Sequence, residues 1–341
     1  MNEFDLLGKI RARMGAPRDR VIVGSGDDAA VVRPGGSVAV TSVDAFVEGV
    51  HFRLVTTSLR DLGHKCLAAS LSDIAAMGAL PGEAYLAVGL PDHLGERETL
   101  ELADGARTLA EEHGVQICGG DLTRADELFM AVTVVGYANG ADRLVTRSGA
   151  RPHDLVGVTG ALGGSGAGLL LLDRKPAGID VQTGARLLDR HLRPRPLLKA
   201  GRALAAAGVS AMLDVSDGIA SDLERLCEQS EVGIEVRLDS LPVDEGVADV
   251  AAAVGIDPVE LAAEAGEDYE LLLTAPEDAR GAVERAGEDS GSPVTWIGRA
   301  SDGEEAALTL LDETGRPRRL AGWDHLRRDR ERRDPPGRAS R

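Results

Sequence analysis

Lysine, cysteine and long apolar runs are all scarce in this sequence, and each scarcity removes a class of function. Lys9, Lys65, Lys175 and Lys199 are the only lysines in 341 residues. None of them lies in a GxxxxGK[ST] loop, so a P-loop nucleotide site is excluded, and protein-kinase HRD and DFG motifs are missing too. Cys66, Cys118 and Cys227 form an odd set without CxxC spacing, which fits neither a disulfide framework nor a zinc site and suits a reducing cytoplasm. No apolar run approaches the roughly 18 residues needed to span a bilayer, and no secretory signal precedes the first half. A soluble, cytoplasmic protein is expected. Cations are outnumbered, 38 Lys+Arg against 56 Asp+Glu, for a formal charge of −18. Such a surface repels phosphate backbones and anionic lipid, so neither nucleic acid nor membrane is expected as a partner.

What is present is enough for a sizeable core. Hydrophobic residues make up 43% of the chain, and the length fits two domains. Residues 327–341 stand apart, with seven Arg, three acids and almost no apolar side chains. They read as a disordered basic tail, which leaves the body near −22. Val- and Thr-rich runs at 38–43 and 131–137 predict strands, and three-to-four spacing of apolar residues predicts helices over 59–77 and 96–113. After Asn139-Gly140 comes a short basic stretch, where the domain border is placed. The second half predicts strands at 154–159, 234–238, 270–274 and 293–297, helices at 196–207 and 220–228, and a Gly-rich turn over 160–168.

An Asp beside a Gly- or Ser-containing turn recurs along the chain: Asp27 and Asp28, Asp44, Asp73, Asp121, Asp214 and Asp217. One such Asp usually caps a helix or closes an Asx turn. Repeated beside apolar runs that would bury their neighbours, they predict converging carboxylates that need compensation. Hard oxygen donors suit Mg²⁺, which binds through a few carboxylates, waters and substrate phosphates. An acidic protein can handle polyphosphate as its metal complex.

Ten ordered blocks, among them GDDAAVV (26–32), TSVDAFVEGVHF (41–52), LAASLSDIAAMGALP (67–81), GGDLTR (119–124), LDVSDGIASDL (213–223), AGEDYELLLT (265–274) and GWDHL (322–326), resemble the thiamine-monophosphate kinases of the AIR-synthetase-like (PurM-like) superfamily. The resemblance implies a two-domain α/β (α+β) PurM-like kinase fold. An N-terminal mixed sheet with helices (1–140) would bind ATP and Mg²⁺ and form a homodimer, and a C-terminal α/β domain (150–326) would pack against it. It implies transfer of the γ-phosphoryl of ATP to thiamine monophosphate, direct and in line, with several Mg²⁺ ions and no general base. Carried over position by position, it implies metal ligands at Asp27, Asp28, Ser42, Val43, Asp44, Asp73, Asp121, Asp214 and Asp217. Val43 stands where the family often has Thr, so it would offer only its carbonyl. The nucleotide is expected at Gly120, Asp121, Arg147 and Ser216, and the acceptor at His51, Glu267 and Trp323.

Two other readings stay open at this stage. One is a sister ATP-using enzyme of the selenophosphate synthetase, AIR synthetase or carbamoyl dehydratase type. The other is a non-enzymatic acidic cation-binding protein.

Overall fold

The computed structural model describes residues 9–10, 12–14, 20–23, 31–302 and 306–323. It contains a short hairpin, β1 (Val21–Val23) with β2 (Val31–Val32), followed by one main sheet in each half of the chain. In the first half the decisive strand is β3 (Val38–Val47), whose residues alternate strictly in exposure. Val40, Ser42, Asp44 and Phe46 face inward, while Ala39, Thr41, Val43 and Ala45 are exposed, as a period of two requires of a sheet covered on one side. β4 (Leu80–Leu90), β5 (Gln116–Arg124) and β6 (Phe129–Ala138) complete a sheet of order β3-β6-β4-β5, antiparallel except for β4 with β5.

Helix α1 (Leu59–Ala76) covers the inward face. It is capped by Ser58, whose Oγ accepts from the Asp61 amide at 3.1 Å, and it buries Leu62, Cys66, Leu67, Leu71 and Ile74. Helix α2 (Glu96–Glu112) makes the crossover that the parallel β4/β5 pair needs.

The second half is built on a seven-stranded sheet. Its strands are β7 (Leu155–Thr159), β8 (Ala211–Asp214), β9 (Gly233–Arg237), β10 (Leu271–Ala275), β11 (Val294–Ser301), β12 (Leu308–Leu311) and β13 (Pro317–Arg318), in the order β13-β12-β9-β11-β7-β10-β8. Every residue of β7, β8 and β10 is buried, so these strands are nearly continuous apolar runs rather than alternating ones. Around the sheet lie α3 (Gly164–Arg174), α4 (Val181–Leu192), α5 (Leu198–Ala207), α6 (Ile219–Ser230), α7 (Val247–Val254), α8 (Pro258–Glu264) and α9 (Arg280–Ser290).

The halves share a core. Phe46, Leu62, Leu71 and Ile74 pack in one cluster with Leu198, Leu204, Met212, Leu271 and Leu273. Each such side chain contributes roughly 1.5–3 kcal/mol on burial, so the two sheets are held together by common packing. The strands and helices expected from the sequence are present within a few residues of their expected ends.

One expectation needs correcting. The Gly-rich stretch 160–168 is a turn only as far as Gly163, where φ is +83°, and from Gly164 it is helix. Its later glycines serve close approach. A Cβ on Gly166 would lie 2.3 Å from that of Ala265, and one on Gly168 would lie 2.2 Å from the Leu187 carbonyl oxygen. The expected tail, 327–341, lies outside the described residues.

Candidate active site

Helix α1 organises the site, because its side chains reach three other segments. Ser70 Oγ donates to Asp44 on β3 at 2.7 Å, and Asp73 accepts from Ser42 Oγ on the same strand. Toward the second half, the Ser72 hydroxyl lies by Asp214 at the end of β8 and Lys65 reaches Glu267. Strand β3 runs to Val47 rather than stopping at Val43, and this extension places Ser42 and Asp44 side by side on the inward face. The Val43 side chain lies on the other face, 65% exposed, so any part it plays is confined to its main chain.

The carboxylates brought together repel one another. Burial, followed by the charge of Asp73, raises the Asp44 carboxyl above its ordinary range against the opposing hydroxyls of Ser70 and Ser42. Asp214 is raised in the same way, by burial first and Asp73 next, while the Ser72 hydroxyl and Arg147 act against the shift. Ser72 Oγ is itself buried and makes no hydrogen bond of good geometry. Arg147 is solvent-exposed, yet its charge is felt at buried Asp214.

After Asp214 the chain makes a tight turn that buried Asp222 holds from below. The amides of Ser216 and Asp217 donate to the Asp222 carboxylate at 3.1 and 3.3 Å, and Arg225 bonds both Asp222 and Asp217. Burial and then Asp214 push the Asp222 carboxyl up to about 8, with Arg225 opposing. Two further segments are laced to this turn. The Glu267 amide donates to the Ser216 carbonyl at 2.8 Å, and the Trp323 amide donates to the Asp217 carbonyl at 2.8 Å. Ser216, Asp217, Glu267 and Trp323 are therefore neighbours, although more than a hundred residues of sequence separate the first from the last.

Glu267 and Tyr269 have φ of +65° and +52°. Left-handed backbone is costly for such residues, and where it persists it tends to mark a functional segment. Lys65 Nζ lies 2.7 Å from Glu267 Oε2, and His191 Nδ1 lies 3.5 Å from the same oxygen. Burial works to raise the Glu267 carboxyl, but Lys65 and then His191 and His51 outweigh it and hold it low. His51 accepts from the Val47 amide through Nδ1 at 3.0 Å, which leaves the proton of a neutral ring on Nε2.

Not every expected residue joins this group. Gly120 and Asp121 lie on β5, at the opposite edge of the first sheet from Ser42 and Asp44 on β3. Three inter-strand steps correspond to about 14 Å. Asp121 nevertheless shares a cross-strand row with Ala45, through Ala87 and Ala131. Gly120, with φ +155°, could not carry a side chain, since a Cβ would fall 1.8 Å from the Leu86 carbonyl oxygen. Asp27 and Asp28 lie outside the described residues. Among the described residues, no group of three or more His, Cys, Asp and Glu is arranged to hold a metal ion.

The 160–168 stretch is engaged from within the second half: the amides of Gly163 and Ser165 donate to buried Asp268 at 2.6 and 3.1 Å.

Lys65, Ser70, Ser72, His191 and Asp222 did not emerge from the sequence as site residues. Scarcity could have flagged Lys65, as one of four lysines within an otherwise apolar helical run. The others carry no local signal, because their roles come from long-range packing.

Residues 26–138 match the AIR synthase related protein, N-terminal domain, and residues 151–310 match its C-terminal domain. The thiamine-monophosphate kinase of Escherichia coli (strain K12) is 37% identical over 330 residues, covering 95% of this chain and 98% of that protein. The crystal structure of thiamine-monophosphate kinase from Stenotrophomonas maltophilia K279a superposes with a TM-score of 0.80 at 35% identity, over 93% of this chain and 98% of that one. The structure of AaThiL complexed with AMPPCP and TMP gives a TM-score of 0.75 at 29% identity, over 95% and 97%.

Proposed function

The chain belongs to the thiamine-monophosphate kinases of the AIR synthase related family, and we propose that phosphoryl transfer takes place over its cluster of Asp44, Asp73 and Asp214. The enzyme phosphorylates thiamine monophosphate with ATP, giving thiamine diphosphate. The observation that carries the site assignment is that helix α1 draws Asp44, Asp73 and Asp214 together without enough positive charge to balance them.

The donors are carboxylates and hydroxyls, including the unsatisfied Ser72 oxygen, and an all-oxygen set of this kind fits Mg²⁺ rather than a softer ion. Bound there with Asp27, Asp28 and Asp217 as further ligands, Mg²⁺ would neutralise charge on the phosphates as they meet. The chain's own residues hold and orient the reactants. Arg147, whose charge is felt at Asp214, would fork a phosphate of the nucleotide. Ser216 presents a turn fixed by Asp222. His51, Glu267 and Trp323 face the acceptor. A phosphate monoester is already an anionic nucleophile near neutral pH, so no general base is called for.

A homodimer accounts for Gly120 and Asp121. The first sheet leaves the edges of β3 and β5 without partners among the described residues, and the exposed face of β3 carries Val43. Exposed edges and apolar faces of this sort are normally covered. Pairing β3 of one protomer with β5 of its partner would close both edges and bring Asp121 of one copy toward Asp44 of the other. We place the domains at 1–140 and 150–326 and the enzyme in the cytoplasm. In support, none of the described helices is long and apolar enough to cross a membrane.

ADP release measured with ATP and Mg²⁺ should require thiamine monophosphate and should not occur with free thiamine. Release with neither acceptor would overturn the reading. Sedimentation should give a dimer, and mixing inactive Asp44→Asn with inactive Asp121→Asn chains should restore part of the activity if the site is shared.

A further inference from the structure

Of the four lysines, Lys65 is the one buried among catalytic neighbours, with 2% of its surface exposed. A buried ammonium is costly unless it is paired, and this one pairs with Glu267 Oε2 at 2.7 Å. The pair does not close an ordinary surface salt bridge. Its acidic member lies on left-handed backbone tied to the Ser216 carbonyl, and its basic member lies on the helix whose later turns bond Asp44 through Ser70 and lie against Asp214.

A second contact reaches the same oxygen. His191 Nδ1 lies 3.5 Å from Oε2 and 3.1 Å from Ser165 Oγ, and Ser165 is held in turn through its amide by Asp268. Lys65 thus bonds Oε2 and His191 lies close to the same oxygen. Both contacts fall on Oε2, and Oε1 is the oxygen they leave for another partner.

We propose that Lys65 is a positioning residue for acceptor recognition, holding Glu267 by Oε2 so that Oε1 is presented in one direction to thiamine monophosphate. This rests on the reading that Glu267 faces the acceptor. It also changes what Glu267 does there. With Lys65 beside it the site is neutral overall, so Glu267 acts as a directed hydrogen-bond acceptor for a donor group of the substrate rather than as a bare counter-charge for its cationic ring. The selectivity it confers is one of geometry, and a correctly charged but wrongly oriented carboxylate would not supply it.

The test is a double-mutant cycle read as KM for each substrate on the full-length enzyme. Glu267→Gln should raise KM for thiamine monophosphate by about 10-fold or more and leave KM for ATP within about twofold. If the acceptor KM is unchanged, the assignment of Glu267 to the acceptor fails, and the proposal fails with it. Lys65→Met should raise the acceptor KM to a similar degree, again sparing ATP, and Lys65→Arg should recover part of the loss. The double variant should be no worse than Glu267→Gln alone, because Lys65 acts through Glu267. An acceptor KM unchanged in Lys65→Met, or effects that multiply in the double variant, would overturn the role of Lys65 while leaving that of Glu267 intact. Should Lys65→Met not fold with its buried carboxylate unpaired, Lys65→Arg takes its place: an acceptor KM raised severalfold with that for ATP spared carries the proposal, and an acceptor KM within about twofold of the parent enzyme overturns it.

Discussion

Two groups of buried charge lie along helix α1, and they are balanced in opposite ways. At Lys65 the chain supplies its own counter-charge, and the Glu267 carboxyl is held low despite burial. One to two turns further on, Asp44, Asp73 and Asp214 gather with hydroxyls and within the influence of an exposed Arg147, and burial and repulsion push the Asp44 and Asp214 carboxyls up. The same helix therefore carries a completed electrostatic unit and an incomplete one. A fold does not leave carboxylates crowded in this way for stability's sake. On the function proposed above, the incomplete unit would take a cation and the phosphates, and the completed one would orient the organic substrate.

The widest separation between the two units should appear in paired variants. Asp44→Asn removes a repelled carboxylate, so turnover should fall by about a thousandfold or more while thermal stability holds or rises by a few °C. Turnover near that of the parent enzyme would remove Asp44 from the site. Glu267→Gln should behave in the opposite sense on stability. It strands the Lys65 ammonium in the interior, at a cost of about 3 kcal/mol in a denaturant titration. If the two substitutions shift stability in the same direction, the contrast between the units is wrong.

Much of the incomplete unit was legible in the sequence, and little of the completed one was. Each acid of the former sits in a short block next to Gly or Ser, so local chemistry marks it, and the family resemblance orders the blocks. What could not be read was that the hydroxyls of Ser70 and Ser42, rather than backbone, hold Asp44 and Asp73, or that β3 extends to Val47 and turns Val43 away from them. Asp121 was also expected within one cage, and the sheet order puts it on the far edge, since strand order is a long-range property that no local pattern encodes. For the completed unit, Glu267 was marked by its motif, but Lys65 and His191 lie about 200 and 76 residues away from it in sequence and meet it only through packing. The helices and strands that were predicted followed from apolar spacing, but β4, β5, β8 and β12 and helices α4, α7, α8 and α9 were not predicted at all. At 160–168 glycines needed for close approach resemble glycines needed for a turn.

A smaller test uses pH. Burial, with the Lys65 charge next, depresses the His191 imidazole from 6.5 to about 4. The unfolded chain binds the extra proton between those values, so stability from this group is fully present above about pH 6.5 and is lost as pH falls through about 4. The loss is at most about 3 kcal/mol. His191→Gln, which can keep the hydrogen bond to Ser165 without titrating, should flatten that acid limb in a series of urea titrations. An unchanged limb would show that the completed unit does not depend on a neutral His191.

The smallest effect is expected from the tail, and it bears on whether the imbalance near Asp44 is local. Residues 327–341 carry +4, and without them the chain stands at −22. If compensation were a matter of total charge, removing these arginines should worsen the imbalance and impair catalysis. Electrostatics across solvent is screened within about 8 Å at physiological ionic strength, so charges beyond that distance cannot stand in for a cation among the carboxylates. Ending the chain after Leu326 should leave kcat/KM within about twofold in 0.15 M salt, with a slightly larger change at low salt. A tenfold loss at physiological salt would mean that the tail's arginines reach the site, and that the carboxylate cluster is completed partly by the protein's own charge.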